Sequence, residues 1–136
     1  MILPSENNCT IAIIGLGYVG LPLAVEITKN KFCLKTKKKL SRKVIGYDLN
    51  QTRINELRKG IDITNELNKD ELEFLKDIDL SYDSDALDEA DVFIVTVPTP
   101  IDEAKKPNLN PLINASKVVG MALKRRFKSK NHLRNI

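Results

Sequence analysis

Cysteine and histidine are scarce in this chain. Cys9, Cys33 and His132 are the whole supply in 136 residues. There is no C-x-x-C pair, and two thiols with one imidazole fall short of a tetrahedral zinc site, so no metal site is expected. The thiols read as reduced and free. No apolar run is long enough to cross a bilayer, and the N-terminus lacks the charged-then-apolar pattern of a secretory signal. A cytoplasmic location and no membrane partner follow as expectations. Aromatic residues make up only 5% of the chain. The two strongly basic segments are not interleaved with stacking rings and no nucleic-acid motif is present, so no nucleic-acid partner is expected either.

Those basic segments hide an acidic body. Residues 29–43 hold eight Lys and Arg and no acid, and 124–134 hold six more and no acid, within a formal net charge of +4. Everywhere else eight basic side chains face eighteen acidic ones. The stretch 30–43 reads as an exposed insertion, because a helix-to-strand connection usually takes a few residues. The stretch 125–136 reads as a solvated basic tail. The length suits one domain with a real core, not two. A lead-in at 1–9 and a folded unit at 10–124 are therefore expected.

What is present is organised around one glycine turn. Ile11, Ala12, Ile13 and Ile14 form an unbroken, mostly β-branched run, as a central parallel strand requires. Gly15, Gly17 and Gly20 follow in the G-x-G-x-x-G spacing. The first allows a tight turn, the second lets backbone close on a pyrophosphate, and the third lets the helix lie close to the strand. The N-terminus of that helix offers amides and a partial positive charge to phosphates. Gly20, Leu23, Ala24 and Ile27 would share its sheet-facing side, with Pro22 tolerated in the first turn.

The second strand is expected at 43–48. Its last residue, Asp48, is placed to accept hydrogen bonds from the adenosine ribose hydroxyls and to repel a 2′-phosphate, favouring NAD over NADP. Asp48 lies 28 residues past Gly20, against about 20 in the usual pattern, and the basic insertion accounts for the excess. Asn50 can cap a helix carrying Ile54, Leu57 and Ile61 on one face, with Gly60 at its end. Arg53, one turn in, is a candidate contact to the adenine face or a phosphate, or a plain exposed charge. Asn68 and Glu71 have capping-box spacing. A third strand is expected at 78–82 and a short helix at 84–90. A fourth strand is expected at 91–97, ending at Pro98-Thr99-Pro100, where ligands bind in parallel sheets. Thr99 is a candidate cofactor contact there. Asn110-Pro111 starts a last helix through Lys124, with Leu112, Ala115, Val119 and Leu123 as its stripe. The reading is an α/β fold: a partial Rossmann-type, doubly wound parallel sheet of about four strands in three αβα layers.

Three motifs in register carry a resemblance. Gly15-Leu16-Gly17-Tyr18-Val19-Gly20-Leu21-Pro22, Val44-Ile45-Gly46-Tyr47-Asp48 and Val97-Pro98-Thr99-Pro100 together resemble the NAD-binding domain of the UDP-glucose/GDP-mannose dehydrogenases. The likeness covers about 11–124. It leans to members acting on UDP-N-acetylgalactosamine and UDP-N-acetylmannosamine in surface-polysaccharide synthesis, partly through residues 60–67. The resemblance implies NAD as cofactor, and oxidation of a sugar C6 alcohol to a carboxylate by two hydride transfers. It also implies Tyr18 and Val19 on the pyrophosphate turn, Asp48 and Arg53 at the adenosine end, and Thr99 beside the nicotinamide half.

Other family features find no match. The catalytic cysteine in its Cys-Phe-Pro-Lys context, the Glu-Ser-Thr-Val segment, the dimerising helix and the sugar-nucleotide domain lack counterparts here. No catalytic residue is assigned. The expectation is a truncated, inactive product that binds NAD, the UDP-sugar and an oligomeric state belonging to a full-length parent. Two alternatives stay open: a fragment of another NAD(P) dehydrogenase such as the hydroxyisobutyrate enzymes, and a non-enzymatic module binding anionic partners through its basic segments.

Overall fold

The computed structural model describes residues 4–134 and the side chains of 4–129. Four strands, β1 (Thr10–Ile14), β2 (Lys43–Tyr47), β3 (Asp79–Ser81) and β4 (Val92–Val95), form one sheet in the order β3-β2-β1-β4. All three pairings are parallel. The order reverses between β1 and β4, the switch point at which doubly wound sheets bind ligands.

Side chains of β1 alternate between two cores. Ile11 and Ile13 pack with α1 (Gly20–Lys29) and α2 (Gln51–Arg58). Ala12 and Ile14 pack with the 3₁₀ segment Ser84–Glu89 and α4 (Asn110–Arg134). The layers are helix, sheet, helix, as the sequence implies. The short α3 (Lys69–Leu72) begins at the expected capping box, with Asn68 accepting from the Glu71 amide and Glu71 accepting from the Asn68 amide.

Three expectations shift. In α1 the buried face is Gly20, Leu21, Ala24, Val25 and Thr28, with Leu23 and Ile27 only half-buried. The close approach at Gly20 sets the rotation, so its i+4 and i+8 neighbours follow it inward. Thr28 satisfies its hydroxyl on the Ala24 carbonyl at 2.8 Å. Ile61 lies beyond the end of α2 and is exposed. In α4 the packed positions are Ala115, Val118, Val119 and Ala122 rather than Leu112 and Leu123; small side chains let the helix sit close to the sheet.

The segment read as a solvated tail continues α4 to Arg134. The anchor is ionic, so no apolar pattern announces it. Arg125 Nε donates to both carboxylate oxygens of Asp88 at 2.8 Å, and Arg126 donates to the Ala90 carbonyl and the Asp91 carboxylate. The insertion 30–43 is a small hairpin, with Phe32 bridged to Lys39 and Lys37 at φ +56° in its turn. Its base is tied down by buried Leu40 and by the Ser41 amide donating to the Asn7 carbonyl at 2.8 Å. The hairpin and the end of α4 both lie at the N-terminal ends of the strands, away from the glycine turn. Among the described residues no helix is long and apolar enough to cross a membrane.

Candidate functional site

The chain leaves β1 through Gly15, at φ +98°. A Cβ there would lie 3.1 Å from the Thr96 carbonyl oxygen and from the Val97 nitrogen, so both conformation and space require glycine. A Cβ on Gly20 would fall 1.8 Å from the Gly15 carbonyl oxygen and 2.4 Å from Thr96 Oγ1. The strand and helix meet backbone to backbone at that point. Gly17 is different: a Cβ there would meet no protein atom within 4 Å. Nothing within the protein itself requires that position to be bare. Tyr18 and Val19 are exposed beside it, 73% and 48%. Val19 caps α1 without a side-chain bond and no acid occupies the first turn, so the positive helix end is left for an anion.

Asp48 is held by backbone from two turns. Its Oδ2 accepts from the Leu16 amide at 2.8 Å and its Oδ1 from the Asn50 amide at 2.9 Å. The first bond ties the end of β2 to the glycine turn. Asn50 caps α2 as expected, accepting from the Arg53 amide at 3.1 Å.

Arg53 is brought to the turn, but not as an exposed charge. It is 7% exposed. Nε donates to the Leu16 carbonyl at 3.2 Å, Nη1 to Asp62 Oδ1 at 2.8 Å and Nη2 to Thr64 Oγ1 at 3.1 Å. Asp62 also accepts from the Thr64 hydroxyl and from the Glu66 and Leu67 amides. Burial pushes the Asp62 carboxyl up, but the bonds from Thr64, Arg53, Leu67 and Glu66 outweigh it and hold it below the usual carboxylate range.

Thr99 is exposed on the loop leaving β4 and joins none of the bonds that organise the turn. The threonine that does so is Thr96, whose hydroxyl donates to the Gly15 carbonyl at 2.7 Å. The sequence pattern assigns neither Thr96 nor Asp62 a role at the site. Thr96 interrupts an apolar run, and Asp62 lies within the stretch 60–67 that carries part of the family likeness, so each leaves a faint signal. Thr96→Val keeps the shape and removes the donor. It is expected to cost about 1 kcal/mol in a denaturant titration and to weaken ligand binding at the turn by a few-fold.

A cleft of about 350 Å³ opens beside the turn, lined by Ile14, Gly15, Tyr47, Asp48, Leu49, Val97, Pro98, three asparagines, Pro111, Ala115 and Val118. Burial, with the nearby charges of Asp48 and Asp83, pushes the Tyr47 phenol up, so it stays a neutral wall. An apolar slot, a fixed carboxylate and a glycine turn at a helix N-terminus fit an adenosine and its pyrophosphate. Cys9 is buried just before β1 and Cys33 lies in the hairpin, both at the opposite end of the sheet. Among the described residues no group of three or more His, Cys, Asp or Glu could hold a metal ion.

Fold and turn together define a dinucleotide-binding domain of the doubly wound class. The sequence model for the UDP-glucose/GDP-mannose dehydrogenase family, NAD binding domain, matches residues 9–129. The chain belongs to that family, and its cofactor is NAD. It is 48% identical over 119 residues to the UDP-N-acetyl-D-glucosamine 6-dehydrogenase of Pseudomonas aeruginosa, covering 88% of this chain and 26% of the relative. It is 45% identical over 118 residues to Protein CapL of Staphylococcus aureus, covering 85% and 24%. A UDP-glucose dehydrogenase structure from Pyrobaculum islandicum superposes with a TM-score of 0.71 at 22% identity, over 93% of this chain and 28% of that one. The chain thus spans about a quarter of the relatives it matches.

Proposed function

We propose that this chain is the NAD-holding part of a nucleotide-sugar 6-dehydrogenase whose substrate is a UDP-N-acetylhexosamine. The observation that carries the reading is the Leu16 amide bond to Asp48, made beside a Gly17 that only a ligand needs bare. Gly15, Gly17 and Gly20 shape the turn for the pyrophosphate, with Tyr18 and Val19 flanking it. Asp48 takes the adenosine ribose, Arg53 fixes the turn from beneath, and Thr99 lies toward the nicotinamide half. NAD, when bound, supplies the hydride acceptor. The chain's own work is to bind and orient it.

Relatives bearing the UDP-N-acetyl-D-glucosamine name are 48% and 45% identical, against 35% for a mannosamine enzyme and 31% for a galactosaminuronic acid one. This gradient supports the N-acetylhexosamine class and favours the gluco sugar over the galacto sugar. For the parent enzyme we propose a cytoplasmic oligomer serving polysaccharide synthesis, with its nucleophile and sugar-nucleotide domain outside the motifs of this chain. The chain alone is expected to bind NAD without turning over a UDP-sugar.

Calorimetric titration with NAD tests the reading. Saturable binding at one site per chain is expected. A chain with a native helical spectrum and no saturable heat would overturn it.

A further inference from the structure

We propose that the basic hairpin 30–43, with the neighbouring end of α4, docks this domain onto the surface of an anionic lipid bilayer: Phe32 and Leu34 enter the headgroup layer while the lysines around them meet lipid phosphates. The proposal goes beyond the NAD reading and does not depend on it. The lack of a spanning run, from which no membrane partner was expected, bears on crossing a bilayer and not on contact with its surface.

The charge of the hairpin faces outward. Lys29 and Lys43, at its two ends, are neutralised by Glu26 and Glu71 and by Glu89 and Asp79. Lys31, Lys35, Lys37, Lys38 and Lys39 are exposed and pair with no carboxylate among the described residues. Among them stand Phe32, 60% exposed, and Leu34, 84% exposed. A surface for phosphates alone has no use for a bare leucine. Cations around an exposed ring and an exposed aliphatic chain suit an interfacial anchor, in which the apolar groups sink to the acyl boundary and the ammonium groups stay at the phosphates. The turn presenting them is fixed. The Cys33 amide donates to the Lys38 carbonyl and the Lys37 amide to the Cys33 carbonyl, both at 2.9 Å. Little ordering is then left for binding to impose.

The same end of the domain carries a second patch of this kind. Phe127 of α4 is 55% exposed, between exposed Lys124 and Lys128. A cleft of about 550 Å³ joins the two patches. Its lining includes Lys31, Lys39, Arg42 and Lys43, with Asp91 as its one acid. That acid already accepts from the Thr10 amide at 2.9 Å and from Arg126 of α4, so the cleft runs on to the helix end and its cations outnumber its anions.

The test is flotation of the full chain with vesicles of phosphatidylcholine alone and of phosphatidylcholine mixed with phosphatidylglycerol. Binding is expected to the mixed vesicles only, and it should weaken as salt rises. Lys35→Gln with Lys38→Gln is expected to cut it roughly twentyfold or more, at about fivefold per exposed cation at an anionic bilayer. Phe32→Ser with Leu34→Ser is expected to cut it roughly tenfold or more, yet to leave binding to a single-stranded oligonucleotide unchanged. All four side chains are exposed, so denaturation midpoints should match the wild type. The chain contains no tryptophan, so Phe32→Trp provides a single emission whose blue shift on adding mixed vesicles reports entry of the ring. Failure to float with mixed vesicles overturns the proposal, as does equal flotation with phosphatidylcholine alone. Vesicle binding undiminished by Phe32→Ser with Leu34→Ser, or no shift from Phe32→Trp, overturns it too, and makes the hairpin a general polyanion surface that nucleic acid would fit as well.

Discussion

Gly20→Ala is expected to destabilise the domain by about 3 kcal/mol, the upper end of what overpacking costs, and to abolish measurable NAD binding. The added Cβ would sit 1.8 Å from the Gly15 carbonyl oxygen and 2.4 Å from Thr96 Oγ1. The first of these is backbone, in a residue already committed to φ +98°, and it cannot yield without moving β1 or α1. The Thr96 hydroxyl could rotate away, but only by giving up its 2.7 Å bond to the same carbonyl. Gly17→Ala is the counterpart. Its Cβ would touch nothing within 4 Å, and no positive φ marks the position. Its denaturation midpoint should match the wild type, while NAD affinity falls roughly ten- to hundredfold as the methyl holds the pyrophosphate off the turn amides. The expected outcome is that one glycine of the motif serves the fold and another serves the ligand. Melting curves and calorimetry on the pair separate the two roles. If Gly17→Ala binds NAD normally, the pyrophosphate does not cross this turn.

The turn, Asp48 and the four strands were legible because each rests on local pattern. A β-branched run predicts a buried strand, glycine spacing predicts a turn, and an acid at a strand end predicts a position. The elements that were misread depend on partners distant in sequence. The end of α4 looked like a solvated tail because Arg125 and Arg126 are polar, and only the fold brings them to Asp88 and Asp91. The buried stripe of α1 is set by one backbone contact at Gly20, which helical periodicity alone cannot locate. Arg53 reads the same in sequence whether it points to ligand or core. Its burial follows from Asp62, nine residues on, in a loop with no periodicity to interpret. Thr96 was hidden for a related reason: its role is a hydroxyl bond to a carbonyl 81 residues away.

Asp48→Ala should lower NAD affinity roughly ten- to hundredfold while leaving NADP affinity unchanged or improved. Two losses act together on NAD. The ribose hydroxyls lose a charged acceptor, and the Leu16 amide loses the bond that fixes the turn to the end of β2. NADP suffers the second loss, but it also escapes repulsion between its 2′-phosphate and the carboxylate. Asp48→Asn divides these contributions. One amide oxygen can accept from the Leu16 amide or from the Asn50 amide but not serve both as two carboxylate oxygens do, and the NH₂ group turns a donor on the other. It removes the charge while preserving part of the geometry. If charge sets the preference, Asp48→Asn should admit NADP nearly as well as Asp48→Ala, while retaining more of the thermal stability. If Asp48→Asn keeps the wild-type rejection of NADP, the preference is set by the shape of the slot, and Asp48 acts on NAD through hydrogen bonding alone.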